Sequence, residues 1–343
     1  MDSYPLISVI VIIFIGLVFD FINGFHDAAN SIATVVSTRV LSPQYAVMWA
    51  ALFNFVAVFF IGAQVAKTVG TGIISPRIVD NLLIFSALGG AIIWNLITWW
   101  LGLPSSSSHA LIGGLIGTGL LKGGTGVLVW KGIIKTASFI ILSPLIGLAL
   151  GLILMTLTLN SSRYFSVARA GSIFRKFQLF SAAVFSISHG MNDAQKTMGI
   201  IAVVLFSSGY LGSTFYIPYW VEFVCYLVIA LGTMSGGWRI VKTMGTKITK
   251  LQPMGGFCAE TAAAISIIGA SLAGIPVSTT HTITGAIMGV GATKRLTAVR
   301  WGIARNIIWA WVLTIPISGL ISAALYLSLI AFSYKPVHNR AYI

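Results

Sequence analysis

Asn23-Gly24-Phe25-His26-Asp27-Ala28-Ala29-Asn30 returns 166 residues later as His189-Gly190-Met191-Asn192-Asp193-Ala194-Gln195-Lys196. Pro104-Ser105-Ser106-Ser107-Ser108-His109 returns 172 residues later as Pro276-Val277-Ser278-Thr279-Thr280-His281. Around the second pair, Gly102/Gly274, Pro104/Pro276, Gly113/Gly285 and Gly117/Gly289 stay in register. Each half of the chain therefore carries one acidic and one hydroxyl motif, in the same order.

With 57% hydrophobic and 8% charged residues over 343 positions and a mean hydropathy of +0.95, the chain has too little polar surface for a soluble globule. It reads as a multi-pass protein of the cell membrane, surrounded by lipid bilayer. Apolar stretches at 6–19, 46–66, 82–101, 137–159, 215–231 and 307–332 include several near the roughly 20 residues a helix needs to cross hydrocarbon. Strands would need period-2 alternation and a closed barrel, so the spans are helices. The first stretch lacks a positive flank and a cleavage site and runs directly into the acidic motif, so it reads as a retained span and not a signal peptide.

Cys225 and Cys258 lie in apolar segments and read as small buried packers, with no redox role. The net charge of +14 resides in short connections, where Lys and Arg set orientation, and it gives no support to a nucleic-acid partner. With no Walker A pattern, nucleophile elbow or Cys cluster, an enzyme reading has no chemistry to stand on, and no cofactor is expected.

Hydropathy breaks between 159 and 177, where Arg163, Arg169, Arg175 and Lys176 occur without an acid. This divides the chain into a first transmembrane repeat at 1–158, a basic cytoplasmic linker at 159–177 and a second repeat at 178–343. Equivalent loops differ in charge: Lys67 and Arg77 stand against Arg239, Lys242, Lys247 and Lys250, and Lys122, Lys131 and Lys135 against Lys294, Arg295, Arg300 and Arg305. Such a bias is expected when equivalent loops lie on opposite sides of the membrane. The expected fold is an all-α integral membrane protein, a polytopic helical bundle of two inverted repeats with broken helices or re-entrant half-helices.

Asp27 and Asn30, three residues apart, share a helix face, and Gly24 before them permits a break that would add unwound carbonyls. Ionisable groups inside a membrane cost several kcal/mol unless paired or solvated, so Asp20, Asp27, Asp193 and Lys196 ask for a functional role. A lone buried Asp could be satisfied by helix contacts; its recurrence in matching sequence argues otherwise. Pro104 and Pro276 precede hydroxyl runs, as at a helix start where Pro loses nothing and Ser or Thr caps. Each motif then reads as a half-helix whose free N–H groups, positive dipole end and hydroxyls serve an oxyanion. Two such ends facing each other would hold a tetrahedral anion, although Ser and Thr in bundles also simply bond neighbouring helices. His109 and His281 read as hydrogen-bonded packers. His26 and His189 flank the acids without aligning, so a closed metal site is not expected. Glu222, Glu260 and Asn95 are polar groups in apolar context whose roles the sequence leaves open.

Gly24 to Asn30 and Gly190 to Ala194 resemble the duplicated Gly-Ala-Asn-Asp-type signature of the inorganic phosphate transporter (PiT) family, and the Ser- and Thr-rich motifs match as well. The resemblance spans nearly the whole chain. It implies a secondary active transporter of inorganic phosphate, coupled to a sodium or proton gradient by alternating access and often a homodimer. Carried over by residue, it assigns the coupling cation to Asp27, Asn30, Asn192 and Asp193, with no metal beyond that cation. It assigns phosphate to Ser105, Ser106, Ser107, Ser108, Ser278, Thr279, Thr280 and Gln195. Gln195 and Lys196 depart from the first copy, so a second cation site of identical make-up is not implied. Rival readings are a sulfate or other oxyanion carrier on this scaffold, and, less fitting, an anion channel or a membrane receptor. Unneutralised carboxylates favour hydrogen phosphate, whose O–H needs an acceptor, over sulfate, which only accepts.

Overall fold

The computed structural model describes residues 6–60 and 62–333. These residues form α1 (Leu6–Ser37), α2 (Pro43–Val56), α3 (Gln64–Thr71), α4 (Asn81–Leu101), α5 (Ser107–Gly123) and α6 (Trp130–Ser162) in the first half. The second half has α7 (Val167–Ser207), α8 (Tyr219–Ser235), α9 (Trp238–Lys242), which a π-helical turn at Thr243–Lys247 prolongs, α10 (Pro253–Leu272), α11 (Thr279–Lys294) and α12 (Trp301–Ser333). The order is the same twice: a long helix bearing the acidic motif, a bent pair, an apolar helix, a half-helix opened by hydroxyls, and a long helix with a central proline, Pro144 or Pro316. The bends are 88° in the first pair and 62° in the second. Among the described residues, five helices are long and apolar enough to cross a membrane, seven if each bent pair is one span. The basic segment between the halves is largely the ends of α6 and α7, with only residues 163–166 outside helix.

α4 meets the length criterion for a span, yet with α5 it forms a hairpin that enters and leaves by one side. Asp80 caps α4 by accepting from the Leu83 N–H at 2.8 Å, and the same side chain is ion-paired to Lys122 at the far end of α5. Gly102, at φ 65°, makes the left-handed turn at the tip, a conformation glycine adopts without a Cβ penalty. Gly274, at φ 63°, does the same between α10 and α11. With the hairpins set aside, α1, the bent pair and α6 remain as crossings of the first half. An odd number of crossings places the second half upside down relative to the first, as the charge bias implied.

The halves exchange partners. α5 packs on α12 and α11 on α6, through glycines that leave no room for a side chain. A Cβ on Gly113 would lie 2.5 Å from the Ile315 carbonyl oxygen, and one on Gly285 2.1 Å from that of Pro144. Small residues let backbones approach where apolar area alone gives no preference over lipid.

The break expected at Gly24 is absent: α1 and α7 run continuously through both acidic motifs. The glycine serves close approach instead. A Cβ on Gly24 would lie 2.2 Å from the Ile229 carbonyl of α8, and one on Gly190 2.6 Å from the Asn54 carbonyl of α2. The irregular backbone lies in the bent pairs and hairpin tips.

Candidate functional site

The first turns of α5 and α11 meet head to head. Ser106 and Ser278 are their N-caps, each accepting from the N–H three residues on, His109 or His281, at 3.2 Å. Those two histidines touch edge to face with ring centroids 4.8 Å apart, and His281 stacks on Trp311 at 4.0 Å. The Trp311 indole in turn donates to the Pro104 carbonyl at 3.0 Å, so α12 holds the first hairpin tip in place. First-turn N–H groups have no carbonyl four residues back. Two positive helix ends therefore converge on one buried spot.

α1 and α7 line that spot with their acidic motifs. Ser107 Oγ lies 2.8 Å from Asp27 Oδ2 and 2.5 Å from Asn23 Oδ1, two acceptors for its single O–H. His26 Nδ1 holds the other carboxylate oxygen of Asp27 at 2.8 Å, and its Nε2 lies 3.0 Å from Thr98 Oγ1. In the other half, Thr279 donates to Asp193 Oδ2 at 3.3 Å and Lys196 pairs with Asp193 Oδ1 at 2.5 Å. Bonds also cross between halves: Asn30 donates to Thr279 at 3.2 Å and Thr280 at 2.9 Å, and Lys196 donates to Ser108. Ser107 and Thr279, Ser108 and Thr280, and Asn30 and Lys196 are equivalent pairs in the two repeats, so the network obeys the sequence duplication.

His189 joins the acids. One ligand atom from each of Asp27, His189 and Asp193 can be chosen so that all lie within 4.8 Å of one another. Asn54 donates through Nδ2 to Thr233 at 2.9 Å, which leaves its Oδ1 to accept from His189 Nδ1 at 3.1 Å. That tautomer, inferred from the network, points the Nε2 lone pair toward Asp193 Oδ2, 3.4 Å away. Two carboxylates and an imidazole nitrogen form a donor set suited to a cation. The signals in the sequence were its place four residues before Asp193, on the same helix face, and its alignment with Asn23, which also faces the cluster.

Ser105 donates to Thr98 Oγ1 at 2.8 Å and sits at the hairpin tip, one layer behind Ser107. Asn192 spends its amide on Ser271 at 2.9 Å and on the Ile275 carbonyl at 3.4 Å; it ties the second hairpin tip to α7, as His26 ties the first to α1. Gln195 faces away from the cluster, its Oε1 accepting from Val65 and Ala66 N–H at 3.0 and 3.3 Å at the start of α3. Glu260 is buried elsewhere, between Gln178 at 3.1 Å and Ser181. Asp20 accepts from Thr197 at 2.8 Å on the same α1 and α7 interface.

Comparison with known proteins agrees with this duplicated architecture. The family described as the phosphate transporter family matches residues 23–167 and again residues 159–322. A "Probable low-affinity inorganic phosphate transporter" of Rhizobium meliloti (strain 1021) is 60% identical over 94% of this chain and 96% of its own length. One of the same description from Bacillus subtilis (strain 168) is 46% identical over 94% and 97%. Among solved structures, "The sodium-dependent phosphate transporter" superposes with a TM-score of 0.84 at 25% identity, covering 95% of this chain and all of that one.

Proposed function

The chain belongs to the phosphate transporter family, and from that premise we propose that it carries orthophosphate together with a cation by alternating access. The observation that carries this reading is the cross-paired cluster between two helix starts, where Asn30 reaches two hydroxyls of one hairpin and Lys196 one of the other. Hydroxyls and free N–H groups offer donors to the phosphate oxygens, in the first turns at Ser107, Ser108, Thr279 and Thr280. The carboxylates accept from the phosphate O–H.

Charge explains the coupling. Asp27 and Asp193 are buried together, and Lys196 is ion-paired to only one of these two carboxylates. An incoming phosphate anion adds to that excess, so it binds only when cations bind with it. Asp27, Asp193 and His189 are the ligands proposed for the cation, with Asn30 beside them. Sodium is the favoured ion, because a neighbour of the same fold is described as sodium-dependent. The two hairpins, each packed on a long helix of the opposite half, are the parts that would alternate access, since rocking one half against the other shifts both tips around the same site.

Uptake of labelled phosphate into proteoliposomes, with sodium and proton gradients imposed separately and sulfate or arsenate as competitors, tests the reading. Accumulation against the phosphate gradient that needs a cation gradient and resists sulfate is expected. Flux that only runs downhill would make the protein a channel, and equal competition by sulfate would make it a general oxyanion carrier.

A further inference from the structure

Position 196 is where the two halves of the site differ in charge. The first half has Asn30 there, a neutral amide bonded to Thr279 and Thr280. The second has Lys196, 1% exposed, whose ammonium meets three oxygens: Asp193 Oδ1 at 2.5 Å, the Val277 carbonyl at 3.1 Å and the Ser108 hydroxyl. A carboxylate, an unwound backbone carbonyl and a hydroxyl are the donors from which transporters build alkali-cation sites. By register the same donor types recur in the first half at the Asp27 carboxylate, the Ser105 carbonyl and the Thr280 hydroxyl, with no built-in cation among them.

We propose that the Lys196 ammonium is a tethered cation occupying the second of two pseudosymmetric cation positions, so that this chain binds phosphate with one free cation fewer than a site with asparagine in both halves. The inference rests on the cation-coupled phosphate reading above. Asp193 is neutralised whether or not a gradient exists, because its counter-charge is covalently attached. Only the position at Asp27 and His189, which the second carboxylate oxygen of Asp193 also borders, then depends on an ion from solution. Lys196 also reaches Ser108 across the repeat interface, so the fixed charge sits beside the hydroxyls offered to the anion and contributes to holding it. Lys196 is buried, and its ammonium is held by α5, α7 and the tip between α10 and α11.

The test is equilibrium binding of labelled orthophosphate to the purified full chain in nanodiscs, across sodium concentration at fixed pH, with choline keeping ionic strength constant. The wild type is compared with Lys196→Asn, which installs the first half's residue, and Lys196→Met, which supplies neither charge nor ligand. In Lys196→Asn the order of phosphate binding in cation should be higher by one than in the wild type. Its phosphate affinity should fall about tenfold or more at low sodium, the size of one lost charged hydrogen bond, and recover at high sodium. Lys196→Met should lose the same affinity without recovery. Sodium-dependent stabilisation against thermal unfolding, measured without phosphate, should show the same gain of one site in Lys196→Asn. Equal orders in the wild type and Lys196→Asn, or recovery in Lys196→Met, would overturn the proposal. Should Lys196→Asn not fold, Asn30→Lys serves in its place: an order lower by one is expected, and an unchanged order overturns. Failure of the wild type to bind phosphate at any sodium concentration would instead remove the phosphate reading on which the proposal stands.

Discussion

Asp27 and Asp193 are duplicates in sequence but not in partners, and their neutral variants should fail differently. Asp27→Asn leaves His26 and Ser107 with an amide that can still bond both, so the protein should insert and remain folded while concentrative uptake is lost. Asp193→Asn strands the buried Lys196 ammonium, and an uncompensated buried charge costs about 3–5 kcal/mol. That variant should lose uptake and also unfold at lower temperature in detergent, with the stability returning in the double variant Asp193→Asn/Lys196→Asn. Wild-type accumulation in either single variant would make the acids structural. At the hydroxyls, Ser107→Ala or Thr279→Ala removes one donor and leaves the first-turn N–H groups, so a partial loss of phosphate affinity of about 1.5–3 kcal/mol is expected, read from binding isotherms. The acids and hydroxyls were legible because each motif recurs with its residue types intact. His189 was not, because its repeat partner is Asn23 and neither the spacing nor the residue type marks it as a neighbour of Asp27 across two helices. Gln195 and Lys196 were hard to rank for a simpler reason: consecutive residues on a helix point about 100° apart, and only the packed structure shows which faces the site and which caps α3.

At the scale of elements, the half-helices could be read from glycine, proline and hydroxyls in sequence, since that order has a specific meaning at a helix start. The continuity of α1 and α7 could not be read. A glycine in a membrane helix permits either a break or a close neighbour, and the carbonyls of Ile229 and Asn54 that decide the matter belong to other helices. The same ambiguity makes the hairpin contacts testable. Gly113→Ala and Gly285→Ala each place a methyl where a carbonyl oxygen lies 2.5 or 2.1 Å away, and overpacking of this kind costs about 1–3 kcal/mol. Both should lower the unfolding temperature and weaken phosphate binding, because the displaced half-helix carries the anion donors. Gly302→Ala in α12 meets nothing within 4 Å and should be neutral or raise stability by about 0.5–1 kcal/mol through helix propensity. Equal effects at all three positions would mean that the close crossings do not position the site.

For the molecule as a whole, the inversion of the repeats follows from two readings that do not depend on each other: the bias of Lys and Arg between equivalent loops, and the parity of crossings once α4 and α10 are assigned to hairpins. The second hairpin lacks the clasp of the first, since Gln252 and Lys294 stand where Asp80 and Lys122 pair. Lys294, freed of an ion pair within its hairpin, sits with Lys250, Arg295 and Arg300 around one surface cavity, as expected for a face kept cytoplasmic by its charge. Thr125 and Thr297 are exposed, equivalent in the two repeats, and lie in the short 3₁₀ turns after α5 and α11. The native thiols, Cys225 and Cys258, are both buried and leave a low background for labelling. A membrane-impermeant maleimide should therefore modify Thr125→Cys from one face of sealed vesicles and Thr297→Cys only from the other, with Thr297→Cys reacting from the cytoplasmic side. Modification of both from the same face would make the two halves parallel, the hairpin tips would no longer approach from opposite sides, and the head-to-head arrangement of α5 and α11 would need another explanation.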